Sequence, residues 1–176
     1  MSKIHIHPLA ATPALIETLA GLLSEVVAQG GSVGFMHPLA DPEARSFWER
    51  ALQAAADGQR IVFGAFDDDQ LVATVSLLLD CPPNQPHRAE IAKMMTVPRC
   101  RGRGIAAALL RTAEAAAMER GKTLLVLDTA SEGGAAGLYE KHGFTLTGEI
   151  PDFALKPHGG LTGTLLYWKR IGMQHA

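Results

Sequence analysis

Cysteine is scarce in this chain, and neither sign of charge is in clear excess. Cys81 and Cys100 are the two cysteines among 176 residues. Two thiols make no disulfide framework, so both are expected to stay reduced in a cytoplasmic protein. Sixteen basic residues against eighteen acidic ones leave a net charge of −2. That balance argues against nucleic acid or a membrane surface as partner, since both call for a basic excess. A long uninterrupted apolar run is also missing. The longest apolar helix candidate, Ala14–Ala28, contains Glu17 and Glu25 and is too short to span a bilayer comfortably. His and Pro interrupt Met1–Ala11, so no signal peptide is expected. His5-x-His7 lacks a third ligand, and no metal site is expected. No repeat, linker or low-complexity tract divides the chain, and residues 1–176 are expected to form one domain.

With 47% hydrophobic residues, the chain can bury a sizeable core. Lys3–His7 alternates polar residues with Ile4 and Ile6, as a strand does. Thr12-Pro13 then offers a helix cap followed by proline at the first helical position. Leu15, Leu19, Leu22, Leu23 and Val26 follow at helical spacing until Gly30-Gly31. Asp41-Pro42 is expected to cap a second helix with Phe47, Trp48, Ala51, Leu52 and Ala55 on its inner stripe. Arg60–Phe66 and Leu71–Leu79, joined by Asp67–Gln70, form a hairpin candidate. A proline-rich loop, Cys81–His87, leads to a strand over Ala89–Val97. A helix from Ile105 towards Gly121, a strand Thr123–Asp128, a short helix near Ala135–His142 and strands near Thr145–Ile150 and Thr164–Lys169 complete the order. The order β-α-α-β-β-β-α-β-α-β-β predicts an α/β fold: a mixed, mostly antiparallel sheet flanked by helices.

Between the strand and the longest alanine-rich helix lies Val97-Pro98-Arg99-Cys100-Arg101-Gly102-Arg103-Gly104-Ile105-Ala106. A glycine turn at a helix start leaves backbone N–H groups unpaired, and three arginines back them. That arrangement suits a pyrophosphate. Three other readings compete. Arg101-Gly102-Arg103-Gly104 could be a nucleic-acid-binding patch, but no arginine–glycine repeat surrounds it. Gly102-x-Gly104-x-x-Ala107 also fits a dinucleotide fingerprint, but a hairpin rather than a βαβ unit precedes it. The turn could also be purely structural. Tyr139 lies on an i, i+3, i+4, i+7 pattern with Ala135, Leu138 and His142, which by spacing alone reads as core-facing. Glu90 and Asp128 fall towards opposite ends of two successive strands, so they are not expected to form one carboxylate pair. Their plainer roles are a surface salt bridge for Glu90 and a helix cap for Asp128. The acceptor walls are sought in Gly30–Pro38, the loop bearing Asn84, His87 and Arg88, and Pro151–Thr164, with Arg88 or Lys156 as carboxylate receivers.

Arg101-x-x-Gly104-x-Ala106, the strand Thr123–Asp128 and Gly137-Leu138-Tyr139-Glu140-Lys141-His142-Gly143-Phe144 together resemble the GCN5-related N-acetyltransferases (GNAT family). Gly30–Met36, Arg88–Met95 and Leu127-Asp128-Thr129 resemble the tabtoxin-resistance branch, as does the tail from Gly148 to Lys169. The resemblance implies the acyl-CoA N-acyltransferase fold, acetyl-CoA as acetyl donor, and direct attack by an amine of a small-molecule acceptor. It further implies that Arg101, Gly102, Arg103, Gly104, Ile105 and Ala106 grip the pyrophosphate. The backbone of Met95, Thr96 and Val97 would pair with the pantetheine arm, Tyr139 would protonate the departing thiolate, and Glu90 or Asp128 would serve as base. For the branch it implies an amino-acid-like antimetabolite as acceptor and a role in antibiotic or toxin resistance. The chain is compatible with a homodimer. A coenzyme A-binding sensor without catalysis is the alternative from a different class.

Overall fold

Thr12 starts the first helix as its spacing implies: its Oγ1 accepts the Leu15 backbone N–H at 3.1 Å, with Pro13 next in line. The structure is a computed structural model that describes residues 4–133 and 135–172. Strand β1 (Ile4–Pro8) leads to α1 (Pro13–Ala28); Lys3, where that strand was expected to begin, lies outside the described residues. Helix α1 buries Leu19, Leu22, Leu23 and Val26.

Helix α2 (Asp41–Ala56) corrects one expectation. Asp41 does not cap it; Ala40 is the N-cap, without a side-chain hydrogen bond. Asp41 and Glu43 instead lie in the first turn, where carboxylates complement the positive end of the helix dipole. Of the expected stripe, Trp48, Ala51 and Leu52 are buried, whereas Phe47 and Ala55 pack only partly against the core.

Strands β2 (Arg60–Asp67) and β3 (Gln70–Leu78) form the expected hairpin, and β4 (Arg88–Thr96) follows antiparallel to β3. A single 3₁₀ turn, Pro98–Cys100, leads into α3 (Ile105–Glu119), then β5 (Leu124–Ala130) and α4 (Ala136–Lys141). Strands β6 (Thr145–Leu155) and β7 (Leu161–Arg170) close the chain. The seven strands lie in the order β1-β2-β3-β4-β5-β7-β6, and only the β4–β5 pair is parallel. This is the mixed, mostly antiparallel sheet that the element order implies. Every residue from Leu71 to Leu77 on β3 is buried, so both its faces are covered. Helix α3 packs on one face, and α1 with α2 on the other.

The last hairpin runs further than expected. Pro151–Thr164 is no loop: the ladder resumes at Ala154↔Thr162 after a register shift, and Lys156–Gly160 makes the turn. Strand β6 is the sheet's edge, where a proline's missing N–H removes no ladder bond, and the irregularity absorbs Pro151. Cys81 and Cys100 are free thiols. No helix among the described residues is long and apolar enough to cross a membrane.

Candidate active site

The parallel strands β4 and β5 pair over only three positions, Arg88↔Leu124, Ala89↔Leu125 and Glu90↔Val126. Beyond them the strands part, and the edge of β4 from Ile91 to Thr96 has no partner on β5. A bulge accompanies the divergence. Ser76 pairs with Ala92 and Thr74 with Met95, so Val75 alone opposes Lys93 and Met94. Lys93 takes φ 51°, a left-handed conformation that non-glycine residues seldom hold. Such an extra residue bends its strand and re-aims a side chain. The gap opens into a cleft of about 940 Å³.

At one end of the cleft stands the glycine turn. Gly102 and Gly104 both have φ 76°, and Gly104 is the N-cap of α3. A Cβ on either would meet nothing within 4 Å, so glycine is needed for the backbone conformation and the open face, not for packing. Ala108 N–H returns to Gly104 O at 3.1 Å. The amides of Gly104, Ile105, Ala106 and Ala107 have no acceptor among the described residues. Four donors facing an open cleft at the start of a fifteen-residue helix fit a diphosphate. Arg101 lines the cleft beside them. Arg103 does not: its Nη1 lies 2.7 Å from Asp67 Oδ2 at the β2–β3 turn. Arg99 reaches towards Glu25 at 4.0 Å. Met95 and Thr96 line the cleft, but Val97 is buried outside it, and its N–H is held by Val72 O at 2.8 Å.

Tyr139 and Asp128 also line this cleft, near enough for the Asp128 charge to act on the phenol. Tyr139 is 5% exposed, its ring packed edge-on to Phe144 at 5.9 Å and tilted to Tyr167 at 6.1 Å. It nevertheless lines the cleft, so the core-facing reading of its spacing holds together with a place beside the cleft. Burial, with the charge of Asp128 adding to it, pushes its phenol up to about 12. Asp128 caps no helix; it lies within β5, exposed in the cleft, and its Oδ2 accepts the Thr164 hydroxyl at 3.2 Å. Glu90 lies outside the cleft lining and is ion-paired with Arg88 at 3.4 Å. The register nonetheless brings the two acids nearer than expected. Glu90 is level with Val126, so Asp128 is two residues, about 7 Å, further along on the same face.

Sequence reasoning missed Lys93, a lone cation in an otherwise apolar stretch of β4. Its ammonium lies 6.0 Å from the Phe35 ring and 5.7 Å from that of Phe47. Burial lowers its pKa, and the charge of Asp128 opposes that shift. Two of the expected acceptor walls do meet here. Gly30–Gly34 and Phe153, Ala154 and Thr162 line the cleft. His37 N–H donates to Pro157 O at 2.9 Å, joining the loop after α1 to the β6–β7 turn. Asn84, His87 and Arg88 do not line it. Lys156 is occupied with Glu132 at 3.1 Å.

Residues 32–144, more than half of the chain, match the model of the Acetyltransferase (GNAT) family. The chain belongs to that family. Solved GNAT-like structures share the fold over nearly the whole length. A ribosomal-protein-alanine N-acetyltransferase from Brucella melitensis is 24% identical, with a TM-score of 0.78 over 95% of this chain and 99% of that one. An N-acetyltransferase from Staphylococcus aureus Mu50 is 17% identical, with a TM-score of 0.80 over 96% and 99%. The yncA protein of Salmonella typhimurium, solved with its cofactor acetyl-CoA, is 16% identical, with a TM-score of 0.78 over 98% and 96%. In this GNAT chain the parted strands, the glycine turn and the tyrosine of α4 thus border one continuous cleft.

Proposed function

We propose that the protein transfers the acetyl group of acetyl-CoA to an amine of a small molecule, by direct attack within a ternary complex. The observation that carries this reading is that one cleft joins two chemistries. Unpaired amides at the start of α3 border it, and so do Asp128 and Tyr139. When bound, acetyl-CoA supplies an activated acyl carbon and a thiolate leaving group.

The chain's own residues then do four things. The amides of Gly104 to Ala107 and the Arg101 guanidinium hold the diphosphate; each charge-assisted hydrogen bond contributes about 1.5–3 kcal/mol. The free edge of β4 at Met95 and Thr96 orients the pantetheine arm. Asp128 removes a proton from the acceptor ammonium, whose ordinary pKa near about 10 leaves it unable to attack at neutral pH. Glu90 acts at longer range, through its charge. Tyr139 donates its hydroxyl proton towards the departing sulfur.

The last two steps are coupled. The Asp128 charge helps hold the Tyr139 proton in place. Once Asp128 is neutralised by the acceptor's proton, that restraint is lifted and the phenol becomes a stronger acid at the moment sulfur leaves. A phenol at about 12 facing a thiol of about 8.5 needs such a change. Neither cysteine is set up as an acyl carrier: Cys100 reaches the cleft but has Arg103 rather than a base beside its Sγ, and Cys81 lies outside the cleft lining with its Sγ on Arg88 O. The branch resemblance favours an amino-acid-like or antimetabolite acceptor and hence a detoxifying role in the cytoplasm. Thiol release from acetyl-CoA across a library of amines and amino acids tests the reading. Acceptor-dependent release supports it; tight acetyl-CoA binding with no release on any acceptor overturns it in favour of a sensor.

A further inference from the structure

We propose that Lys93 is the docking point for a carboxylate of the acceptor, making the acceptor end of the cleft a zwitterion site. This inference rests on the acetyl-transfer reading and deepens it.

Three observations converge on Lys93. Its backbone occupies the β-bulge at φ 51°, a conformation with a strain cost for a residue bearing a Cβ. Without the bulge, alternation would turn Lys93 to the face opposite Glu90. With it, the ammonium lies within electrostatic reach of Asp128 and Glu90 and against the rings of Phe35 and Phe47. Next, the ammonium makes no hydrogen bond and no ion pair within 4.0 Å among the described residues, and of the three cations that line the cleft, Lys93, Arg101 and Lys141, it is the one held against aromatic rings. Drawn partly out of water, the ammonium keeps its three donors free for a ligand's acceptors. Finally, the loop makes room for it: Gly34, at φ 90°, would put a Cβ 3.4 Å from Nζ.

Charge arrangement identifies the ligand class. Lys93 and Asp128 line the same cleft with opposite charges but do not touch. A ligand with a cationic amine and an anionic carboxylate matches that pair head to tail. Its amine is directed to Asp128 and Tyr139, where acetyl transfer takes place, and its carboxylate to Lys93. The phenyl rings screen the ammonium from water, which strengthens its attraction for an anion. A plain polyamine would instead bring a second cation against Lys93.

The probes are the standard L-amino acids and the ω-amino acids up to aminohexanoate, each compared with its own carboxamide. Binding to the coenzyme A-loaded protein is read by calorimetry, and turnover by thiol release. Carboxylates should bind about 10- to 100-fold more tightly than their carboxamides, the range for one charge-assisted hydrogen bond. Lys93→Met should erase that difference by raising KM for the carboxylates while leaving acetyl-CoA affinity unchanged. Lys93→Arg should restore much of it. Equal binding of carboxylate and carboxamide, or an equal loss on both in Lys93→Met, overturns the proposal. Lys93-dependent carboxylate binding without any thiol release would leave the subsite standing and overturn acetyl transfer.

Discussion

Arg103 Nη1 lies 2.7 Å from Asp67 Oδ2, so one arginine of the glycine turn is fastened to the β2–β3 turn instead of facing the cleft. Arg101, two residues earlier, lines the cleft with no such partner among the described residues. On the proposed function, the two side chains separate cofactor attraction from loop anchorage. Arg101→Ala should raise KM for acetyl-CoA about tenfold and flatten its dependence on salt. Arg103→Ala should change that KM by less than about threefold and lower the melting temperature only slightly, because the pair is partly exposed. Initial rates at several ionic strengths, with thermal melts, distinguish the two.

Gly104 combines φ 76° with empty space over its Cα, at the point where the unpaired amides converge. Gly104→Glu would bring a carboxylate into the volume a diphosphate needs, besides straining a left-handed backbone. Coenzyme A binding should fall below detection by calorimetry while the circular dichroism spectrum stays that of the folded protein. Gly104→Ala should cost roughly 1 kcal/mol of stability and weaken binding far less. Equal binding by the glutamate variant would remove the turn from the cofactor site.

Much of this was legible in the residues themselves. Thr12-Pro13 specifies a helix start through local chemistry, and the Gly102–Gly104 turn before an alanine-rich run specifies a helix start with unpaired amides. Both depend on neighbours a few positions away. Asp41 was misplaced by one residue, because a carboxylate just before Pro42 serves equally as a cap or as a first-turn charge. The extension of β6 past Pro151 was hidden, since only an edge position makes that proline harmless. Lys93 was invisible for a different reason. A bulge arises from the register between β3 and β4, which no periodicity within β4 can reveal. The spacing of Glu90 and Asp128 likewise depends on a ladder of only three pairs.

Removing the phenol tests the role of Tyr139 directly. Its ring packs among Phe144 and Tyr167, and Phe keeps that packing. Tyr139→Phe should therefore lower kcat by about 10²- to 10⁴-fold, the range for a general acid, with acetyl-CoA affinity nearly unchanged. An unaltered kcat would exclude the hydroxyl from proton transfer. Thr164→Val, which removes the hydroxyl shared between Asp128 Oδ2 at 3.2 Å and Thr129 O at 3.1 Å, should lower kcat by a smaller factor.

The raised Tyr139 phenol also links stability to alkaline pH. Burial acts first and the Asp128 charge second, placing the folded value at about 12 against an ordinary value near 10. Between those values the unfolded chain releases this proton and the folded chain keeps it. The contribution of the group to stability is thus complete below about 10 and lost as pH rises through about 12, amounting on the order of 2–3 kcal/mol. Lys93, lowered by burial, acts with the opposite sign, but it is common to wild type and Tyr139→Phe and cancels in their difference. Urea unfolding of both proteins across the alkaline range should show wild type losing stability more steeply. Asp128→Asn should shift the phenol downward by removing the charge that restrains its proton. Tyr139 and Tyr167 are the two tyrosines of the chain, so in a Tyr167→Phe background the tyrosinate absorbance reports Tyr139 alone. An identical titration with and without the Asp128 charge would break the proposed coupling between base and acid.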